Sequence, residues 1–128
     1  MKEWEKSTTF WESCRYAWQG LKYAVQNEAN VRRQLILMAI AFGTAVLLSV
    51  PINHLLVLVT ISALVLVLEM INTALEQLAD IVHPEYHQAL KHFKDISAGA
   101  VLIASLAAIL VGIIVFIPPL FSLVGLVP

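Results

Sequence analysis

Charged and uncharged positions divide this chain into alternating segments. Every Asp, Glu, Lys and Arg lies within residues 1–33 or 69–95, whereas residues 34–68 and 96–128 carry no charge. Each uncharged segment is longer than the roughly 20 residues that an α-helix needs to cross the hydrocarbon core of a bilayer. The pattern therefore predicts an all-α protein that is integral to a membrane.

Proline residues that mark turns divide the chain further, and they lie at Pro51, Pro84, Pro118 and Pro119. The run from 34 to 68 is too long for one span, and Pro51 followed by Asn53 and His54 is typical of a short turn between two helices. The proline pair is predicted to end the last helix. The single domain, residues 1–128, is thus predicted to contain an N-terminal helix over 10–30 and membrane helices over 34–50, 55–82 and 90–117.

The N-terminal segment has the pattern of an amphipathic helix. Phe10, Trp11 and Trp18 fall within about 100° of arc, and Lys22 and Gln26 lie at its edge or beyond it. Two tryptophans on the apolar face favour a helix lying in the headgroup layer of the bilayer. An ordinary globular helix is the alternative, but no soluble core follows for it to join.

The composition excludes an ordinary soluble domain, because 59% of the 128 residues are hydrophobic and only 13% are charged. Six of the 8 Lys and Arg residues precede the first span, and the other two, Lys91 and Lys94, lie between the second and the third. The positive-inside rule therefore predicts a cytoplasmic N-terminus, a cytoplasmic segment over residues 83–94 and an external C-terminus. Early acidic residues and the lack of an early apolar run argue against a signal peptide.

A polar stripe follows the apolar part of the second membrane helix. At about 100° per residue, Glu69, Asn72, Glu76 and Asp80 fall on one helical face. A charge at the centre of a membrane helix costs roughly 2.5–3.5 kcal/mol on insertion scales, so such residues usually serve a function. Glu69 lies about two turns deeper than Glu76, and we interpret it as functional rather than structural.

Other polar residues converge on the same membrane boundary, namely Glu28 before the first span and Lys94-Asp95 at the start of the third. Neighbouring carboxylates suit a hard cation such as Mg²⁺, which keeps several waters and bridges to phosphate. Lys94 suits a phosphate charge, and a further carboxylate suits a general base. The alternative is that Glu28, Asp80 and Lys91 are solvated boundary residues.

Two other kinds of site are not favoured by the sequence. His83, His87 and His92 span a proline and a predicted loop with no cysteine beside them, so loop histidines are a better interpretation than a zinc site. The chain contains neither a Gly-x4-Gly-Lys-Ser/Thr loop nor the His-Arg-Asp and Asp-Phe-Gly set of protein kinases. Any nucleotide chemistry must therefore use another scaffold.

Four motifs match a known family: Asn27-Glu28-Ala29, Glu69-x-x-Asn72-Thr73-Ala74-Leu75-Glu76-x-x-x-Asp80, Glu85-Tyr86-His87 and Lys94-Asp95. In these motifs, and in its three-span plan over residues 10–117, the chain resembles the small prokaryotic integral-membrane lipid kinases, which comprise diacylglycerol kinase and undecaprenol kinase. The resemblance implies a homotrimer with composite active sites in the bacterial inner membrane. It also implies ATP-dependent phosphorylation of a lipid alcohol at the cytoplasmic boundary, with no nucleic-acid partner.

The resemblance also implies roles for individual residues. Glu69 matches the general base that takes the proton from the lipid hydroxyl, and Glu28 and Glu76 match the carboxylates that hold Mg²⁺ against the ATP phosphates. The positions that match residues near the nucleotide are Tyr16, Glu85, Tyr86 and His87. The positions that match residues placing the nucleotide, the substrate or the helix ends are Asn72, Lys94, Asp95 and Ala98.

The acceptor lipid stays open between diacylglycerol and undecaprenol. Asn27-Glu28-Ala29 resembles diacylglycerol-type members, whereas Ser97-Ala98-Gly99-Ala100 is closer to undecaprenol-type members. Thr9 stands about where diacylglycerol-type members carry an arginine that helps to hold ATP, and Lys6 or Arg15 is an alternative for that contact. Outside this family, the alternatives are a non-catalytic membrane assembly and a cation-transport subunit, although a pore should carry acids near the midplane.

Overall fold

A computed structural model of the protein describes residues 9–123. Over these residues the chain forms four α-helices and no strand: α1 (Phe10–Asn27), α2 (Ala29–Leu47), α3 (Ile52–Val82) and α4 (Gln88–Leu123). The last three helices are long and apolar enough to cross a membrane. The predicted all-α architecture, with one N-terminal helix and three membrane helices, is confirmed.

The joint between α1 and α2 lies earlier than the sequence predicted. Glu28 alone separates the two helices, with an extended backbone (φ −104°, ψ 115°). Arg32 holds this elbow, because its Nη1 atom donates to the carbonyl oxygens of Val25 (3.2 Å) and Gln26 (2.9 Å), where a helix end lacks its own donors. The expectation that the first helix reaches residue 30 and the second begins at residue 34 is therefore wrong, since these contacts let the charged residues join α2.

The turn between α2 and α3 contains one residue with positive φ. Ser49 has φ 52°, and the N–H groups of Ser49 and Val50 donate to the carbonyl oxygens of Val46 (3.1 Å) and Ala45 (3.0 Å). This pair of bonds is a Schellman motif, which satisfies the last carbonyl groups of a helix. The motif ends α2 at Leu47, short of the predicted end at residue 50.

α3 begins earlier than predicted. Pro51 (φ −57°) stands just before its first residue, Ile52, and a proline at the entrance of a helix gives up no intrahelical hydrogen bond. Asn53 and His54 therefore lie in the first turn of α3, rather than in a turn before residue 55. The other end of α3, at Val82, matches the prediction.

α4 continues through the two prolines that were predicted to end it. Pro118 and Pro119 lie inside the helix, which begins at Gln88 rather than at residue 90 and runs on to Leu123. The predicted end at residue 117 is wrong. A proline removes its own N–H donor and crowds one carbonyl group, whereas an unwound backbone in lipid leaves several polar groups unsatisfied. At membrane depth, continuing the helix through the prolines therefore costs less free energy than ending it before them.

α3 and α4 form the most extensive helix pair, while α2 packs on α3 and α1 contacts α2. α3 and α4 are antiparallel, since Asp80 pairs with Lys94 and Asn72 is hydrogen-bonded to Ser97 across them. One face of α3 is buried along its length, and it comprises Leu58, Ser62, Val65, Glu69, Asn72 and Ala79. The deeper part of the polar stripe thus faces the other helices, at the C-terminal end of an otherwise mostly apolar surface.

Candidate active site

Burial of the polar stripe decreases along α3 toward its C-terminal end. Glu69 and Asn72 are only 8% and 7% exposed, Glu76 is half-buried and Asp80 is exposed. Glu69 lies about 10 Å before Glu76 along the helix axis, on the side of the apolar part of α3, at 1.5 Å per residue. It is shielded by the chain's own helices. This gradient agrees with the interpretation that Glu69 differs from the other acids of the stripe.

Glu69 lines a small cavity between three helices. The cavity has a volume of about 160 Å³, and its other walls include Asn30 and Arg33 of α2 and Val101 and Ser105 of α4. The Glu69 Oε1 atom is buried and has no hydrogen-bond partner among the described residues. Buried polar atoms are almost always hydrogen-bonded, so an unpartnered carboxylate oxygen at a cavity is more typical of a functional site than of packing.

A chain of hydrogen bonds joins α4 to the polar stripe. Ser97 Oγ donates to Asn72 Oδ1 (2.6 Å), and Asn72 Nδ2 donates to Glu76 Oε1 (3.0 Å). An ionised carboxylate can only accept, so the Asn72 amide must turn its nitrogen to Glu76 and its oxygen to Ser97. One carboxylate oxygen of Glu76 is thereby held in place, and the other takes no part in this chain.

Glu28 reaches the same region from the elbow between α1 and α2. Gln77 Nε2 donates to Glu28 Oε1 at 2.7 Å, so this carboxylate lies beside α3, against the residue that follows Glu76. The described residues hold no group of three or more His, Cys, Asp or Glu side chains arranged as metal ligands. Mg²⁺ is usually held by one or two carboxylates together with waters and phosphates, whereas structural zinc needs four protein ligands. Glu28 and Glu76 thus supply the type and number of carboxylates that Mg²⁺ usually takes from a protein, and they do not supply the four ligands of structural zinc.

The loop between α3 and α4 borders a second, larger cavity of about 330 Å³. It brings together five residues that were predicted to bind nucleotide: Glu85, Tyr86, His87, Lys94 and Asp95. Two ion pairs organise the wall that α4 contributes, because Lys94 pairs with Asp80 and Lys91 Nζ lies 2.7 Å from Asp95 Oδ2. The side chains of Lys91 and Lys94 at this cavity are thus paired with acidic side chains of the same chain.

Five residues of the predicted site line neither of these cavities: Tyr16, Glu28, Asn72, Glu76 and Ala98. Tyr16 is exposed on α1, with the Arg15 guanidinium carbon 5.4 Å from the centroid of its ring, and Ala98 is exposed on α4. Thr9, which stands about where an arginine was expected, caps α1 by accepting a backbone N–H at 3.3 Å. Arg15 is occupied with Tyr16, and Lys6 lies outside the described residues.

Four residues at the site were not predicted from the sequence: Asn30, Arg33, Gln77 and Ser97. Arg33 Nη1 donates to Asn30 Oδ1 at 2.9 Å, and their spacing of three positions at the start of a membrane helix is a signal that could have revealed a shared face. Gln77 and Ser97 act on partners 49 and 25 positions away. Sequence spacing alone does not reveal such contacts.

Fold and site together define a class of protein: a small helical membrane protein with carboxylates at the end of one of its three spans. The model of the prokaryotic diacylglycerol kinase family matches residues 15–116, and the chain belongs to this family. The family that the sequence motifs indicated is confirmed.

Three relatives carry the two enzyme names of this family. The chain is 40% identical to a diacylglycerol kinase of Synechocystis sp. over 121 residues, which cover 94% of this chain and 69% of the relative. It is 34% identical to a diacylglycerol kinase of Escherichia coli strain K12 over 95 residues, 74% of this chain and 78% of the relative. Its identity with an undecaprenol kinase of Bacillus subtilis is 24% over 111 residues, 87% of this chain and 90% of the relative.

Proposed function

We propose that this chain is an ATP-dependent kinase that phosphorylates the hydroxyl group of a membrane lipid alcohol. The family and the names of the relatives, diacylglycerol kinase and undecaprenol kinase, support a lipid kinase over a non-catalytic assembly or a cation-transport subunit. The observation that carries the proposal is the buried Glu69 carboxylate, whose Oε1 atom has no partner among the described residues and which lines a cavity.

An apolar groove beside Glu69 supports a lipid as the acceptor. The groove has a volume of about 580 Å³ and lies between α2, α3 and α4. It shares four lining residues with the Glu69 cavity, namely Gln34, Leu37, Val65 and Ser105. A hydrocarbon chain in this groove would leave the hydroxyl group of the same lipid next to Glu69.

The proposed reaction is an in-line phosphoryl transfer. The Glu69 carboxylate takes the proton of the lipid hydroxyl, and the hydroxyl oxygen forms a bond to the γ-phosphorus of ATP. The bond between that phosphorus and the oxygen bridging it to the β-phosphate breaks, and ADP leaves with the electron pair. Positioning and charge neutralisation dominate such a reaction, because it asks for little covalent chemistry from the protein.

Glu28 and Glu76 are the residues proposed to hold Mg²⁺. Gln77 donates a hydrogen bond to the Glu28 carboxylate, and Asn72 donates one to the Glu76 carboxylate. Both donors are neutral amides, so neither cancels the negative charge of its acceptor. A bound Mg²⁺ ion would neutralise the charge of the ATP phosphates.

The cavity beside the α3–α4 loop is proposed to bind the nucleotide. Its volume of about 330 Å³ lies near the lower end of the range for small-molecule sites, roughly 300–1,000 Å³. Binding would require Lys94 to exchange its Asp80 partner for a phosphate oxygen. The residues proposed to contact or place the nucleotide are Tyr16, Glu85, Tyr86, His87, Lys94 and Asp95.

We further propose a homotrimer in the bacterial inner membrane, with the N-terminus and residues 83–94 in the cytoplasm and the C-terminus outside. The basic residues before the first span and between the last two support this orientation, and the family resemblance supports the trimer. Large hydrophobic side chains are exposed on all three spans, which suits contact with lipid or with other subunits. Glu69 is already covered within one chain, so a second subunit would complete the site rather than enclose this residue.

Lipid-dependent ATP turnover tests the proposed function and the choice of acceptor together. Purified protein in mixed micelles is given ATP and Mg²⁺ with diacylglycerol, with undecaprenol or with no added lipid alcohol, and both ADP and phosphorylated lipid are measured. A lipid kinase releases ADP in step with phosphorylated lipid, and the better acceptor has the higher kcat/KM. ADP release that is independent of both alcohols, or no phosphorylation of either, would count against the proposal.

A further inference from the structure

Gln77 is a polar residue of α3 to which the proposed reaction gives no role. Its side chain is half-buried, and its Nε2 atom donates to Glu28 Oε1 at 2.7 Å. The two residues lie 49 positions apart, one in α3 and the other in the elbow between α1 and α2. The bond therefore fixes a carboxylate from one part of the fold against a helix from another.

The Glu28 side chain does not cap the helix that it precedes. Short polar side chains such as Ser, Thr, Asp or Asn at such a position cap a helix by accepting a hydrogen bond from one of its first N–H groups. Glu28 precedes α2 and makes no such side-chain bond, and its carboxylate accepts from Gln77 instead. Arg32 holds the backbone of the elbow through the carbonyl groups of Val25 and Gln26. Backbone position and carboxylate orientation are thus set by different residues.

A carboxamide is well suited to hold a carboxylate that must also bind a cation. A lysine or arginine at position 77 would form an ion pair with Glu28 and compete with a metal ion, and an apolar side chain would leave the carboxylate free to rotate. The amide donates one hydrogen bond to one oxygen and leaves the negative charge in place. Residues that orient metal ligands in this way typically account for about 10- to 100-fold in metal affinity or activity.

We propose that Gln77 is a positioning residue for the divalent cation at Glu28. Its hydrogen bond holds one oxygen of the Glu28 carboxylate against α3, at the residue that follows Glu76 in the chain, and restricts the rotation of that carboxylate. This inference rests on the proposed metal-binding role of Glu28, and it extends that role to a position that the family motif leaves unspecified.

The test compares Gln77→Met and Gln77→Asn with the matched control Gln26→Met. Methionine keeps the length and helix propensity of glutamine but removes the donor, and asparagine keeps the amide on a shorter side chain. Gln26 lies at the same elbow and its side chain is exposed. Binding of Mn²⁺ is measured by electron paramagnetic resonance with a non-hydrolysable ATP analogue, and turnover is measured as a function of Mg²⁺ concentration.

Both Gln77 variants should weaken Mn²⁺ binding by about tenfold. They should raise the Mg²⁺ concentration that gives half-maximal turnover by about the same factor, and they should largely retain kcat at saturating Mg²⁺. Gln26→Met should match the wild type in both measurements. In a Glu28→Gln background, the Gln77 substitution should have little further effect on Mn²⁺ binding, because the two residues act as a unit.

Unchanged Mn²⁺ binding in a folded Gln77 variant, an equal loss in Gln26→Met, or an undiminished effect in the Glu28→Gln background would overturn the positioning role. A purely structural contribution would lower the unfolding temperature and kcat without changing the Mg²⁺ dependence. If Glu28→Gln loses Mn²⁺ binding while the Gln77 variants retain it, only the role of Gln77 fails. If Glu28→Gln binds Mn²⁺ like the wild type, the proposed metal site at Glu28 fails and the role of Gln77 fails with it.

Discussion

Glu69, Glu76 and Asp80 carry the same functional group on one face of α3, yet each has a different environment. Glu69 is buried and one of its oxygens has no partner among the described residues, Glu76 accepts from Asn72, and Asp80 pairs with Lys94. A carboxylate at a cavity without a cationic partner is suited to accept a proton, whereas one fixed by a neutral donor is suited to a cation. The chemistry proposed for each acid follows from its neighbours rather than from its residue type.

Ser97 gives a prediction at the same scale, because it fixes Asn72 and is not proposed to contact a substrate. Ser97→Ala removes the donor to Asn72 Oδ1 (2.6 Å) and frees the amide that holds Glu76. One such hydrogen bond is worth about 0.5–1.5 kcal/mol, so turnover should fall by roughly 2- to 12-fold. Thr60→Val is the control, since the exposed Thr60 hydroxyl donates to Leu56 O at 2.8 Å within α3. Steady-state kinetics that show equal losses in both variants would contradict this role of Ser97.

At the scale of elements, the sequence predicted the helices wherever the charge pattern alone decides them. The uncharged residues 34–68 and 96–123 are expected to be mostly helical in lipid, because every backbone polar group there needs an internal partner. The elbow at Glu28 was not predictable in this way, since Arg32 stabilises it through carbonyl groups six and seven positions earlier. The sequence did not predict that α4 continues through Pro118. The rule that a proline ends a helix applies in water, where the solvent can bond to the carbonyl groups that the proline leaves free.

The candidate site was predictable to a similar extent. Helical periodicity alone indicated that Glu69, Asn72 and Glu76 share a face, and all three are now seen at least half-buried on that face. No rule of spacing pairs Gln77 with Glu28, or Ser97 with Asn72. Those pairs depend on how the helices pack, which a single sequence does not specify.

The turn between α2 and α3 allows a prediction of stability. Ser49 has φ 52°, a region that glycine adopts readily and other L-residues adopt at a cost of roughly 1–2 kcal/mol. Ser49→Gly should therefore raise the free energy of unfolding by about 0.5–1 kcal/mol, and Ser49→Val should lower it by about 1–2 kcal/mol. Denaturant unfolding in detergent micelles measures both variants. The reverse order of stabilities would contradict the Schellman motif at this turn.

At the scale of the whole molecule, the topology collects distant residues at one end of the helices. α2, α3 and α4 run alternately back and forth, so the start of α2, the end of α3 and the start of α4 lie at the same end. The Glu28–Gln77 hydrogen bond and the Asp80–Lys94 ion pair join these three helix ends. A site that combines Glu28, the polar stripe and the loop cavity is therefore a consequence of the three-span fold.

Subunit mixing tests the proposed trimer with composite sites. Glu69→Gln and Glu76→Gln chains, each expected to be inactive alone, are unfolded, mixed and reconstituted together. If a site takes these two acids from different chains, some sites in the mixture receive both wild-type residues, and part of the activity should return. Each variant reconstituted with itself is the control. Stable mixed oligomers without any recovery would show that both acids act from one chain.

Transfer of the γ-phosphoryl group from labelled ATP to the lipid measures the proposed role of Glu69 most directly. Glu69→Gln keeps the shape of the side chain and removes the base, so the rate of lipid labelling should fall by about 10²-fold or more. Binding of an ATP analogue should be largely retained. Asp80→Asn, which changes an exposed acid of the same stripe, should lose much less. A folded Glu69→Gln protein that labels the lipid at a near wild-type rate would contradict the assignment of Glu69 as the base.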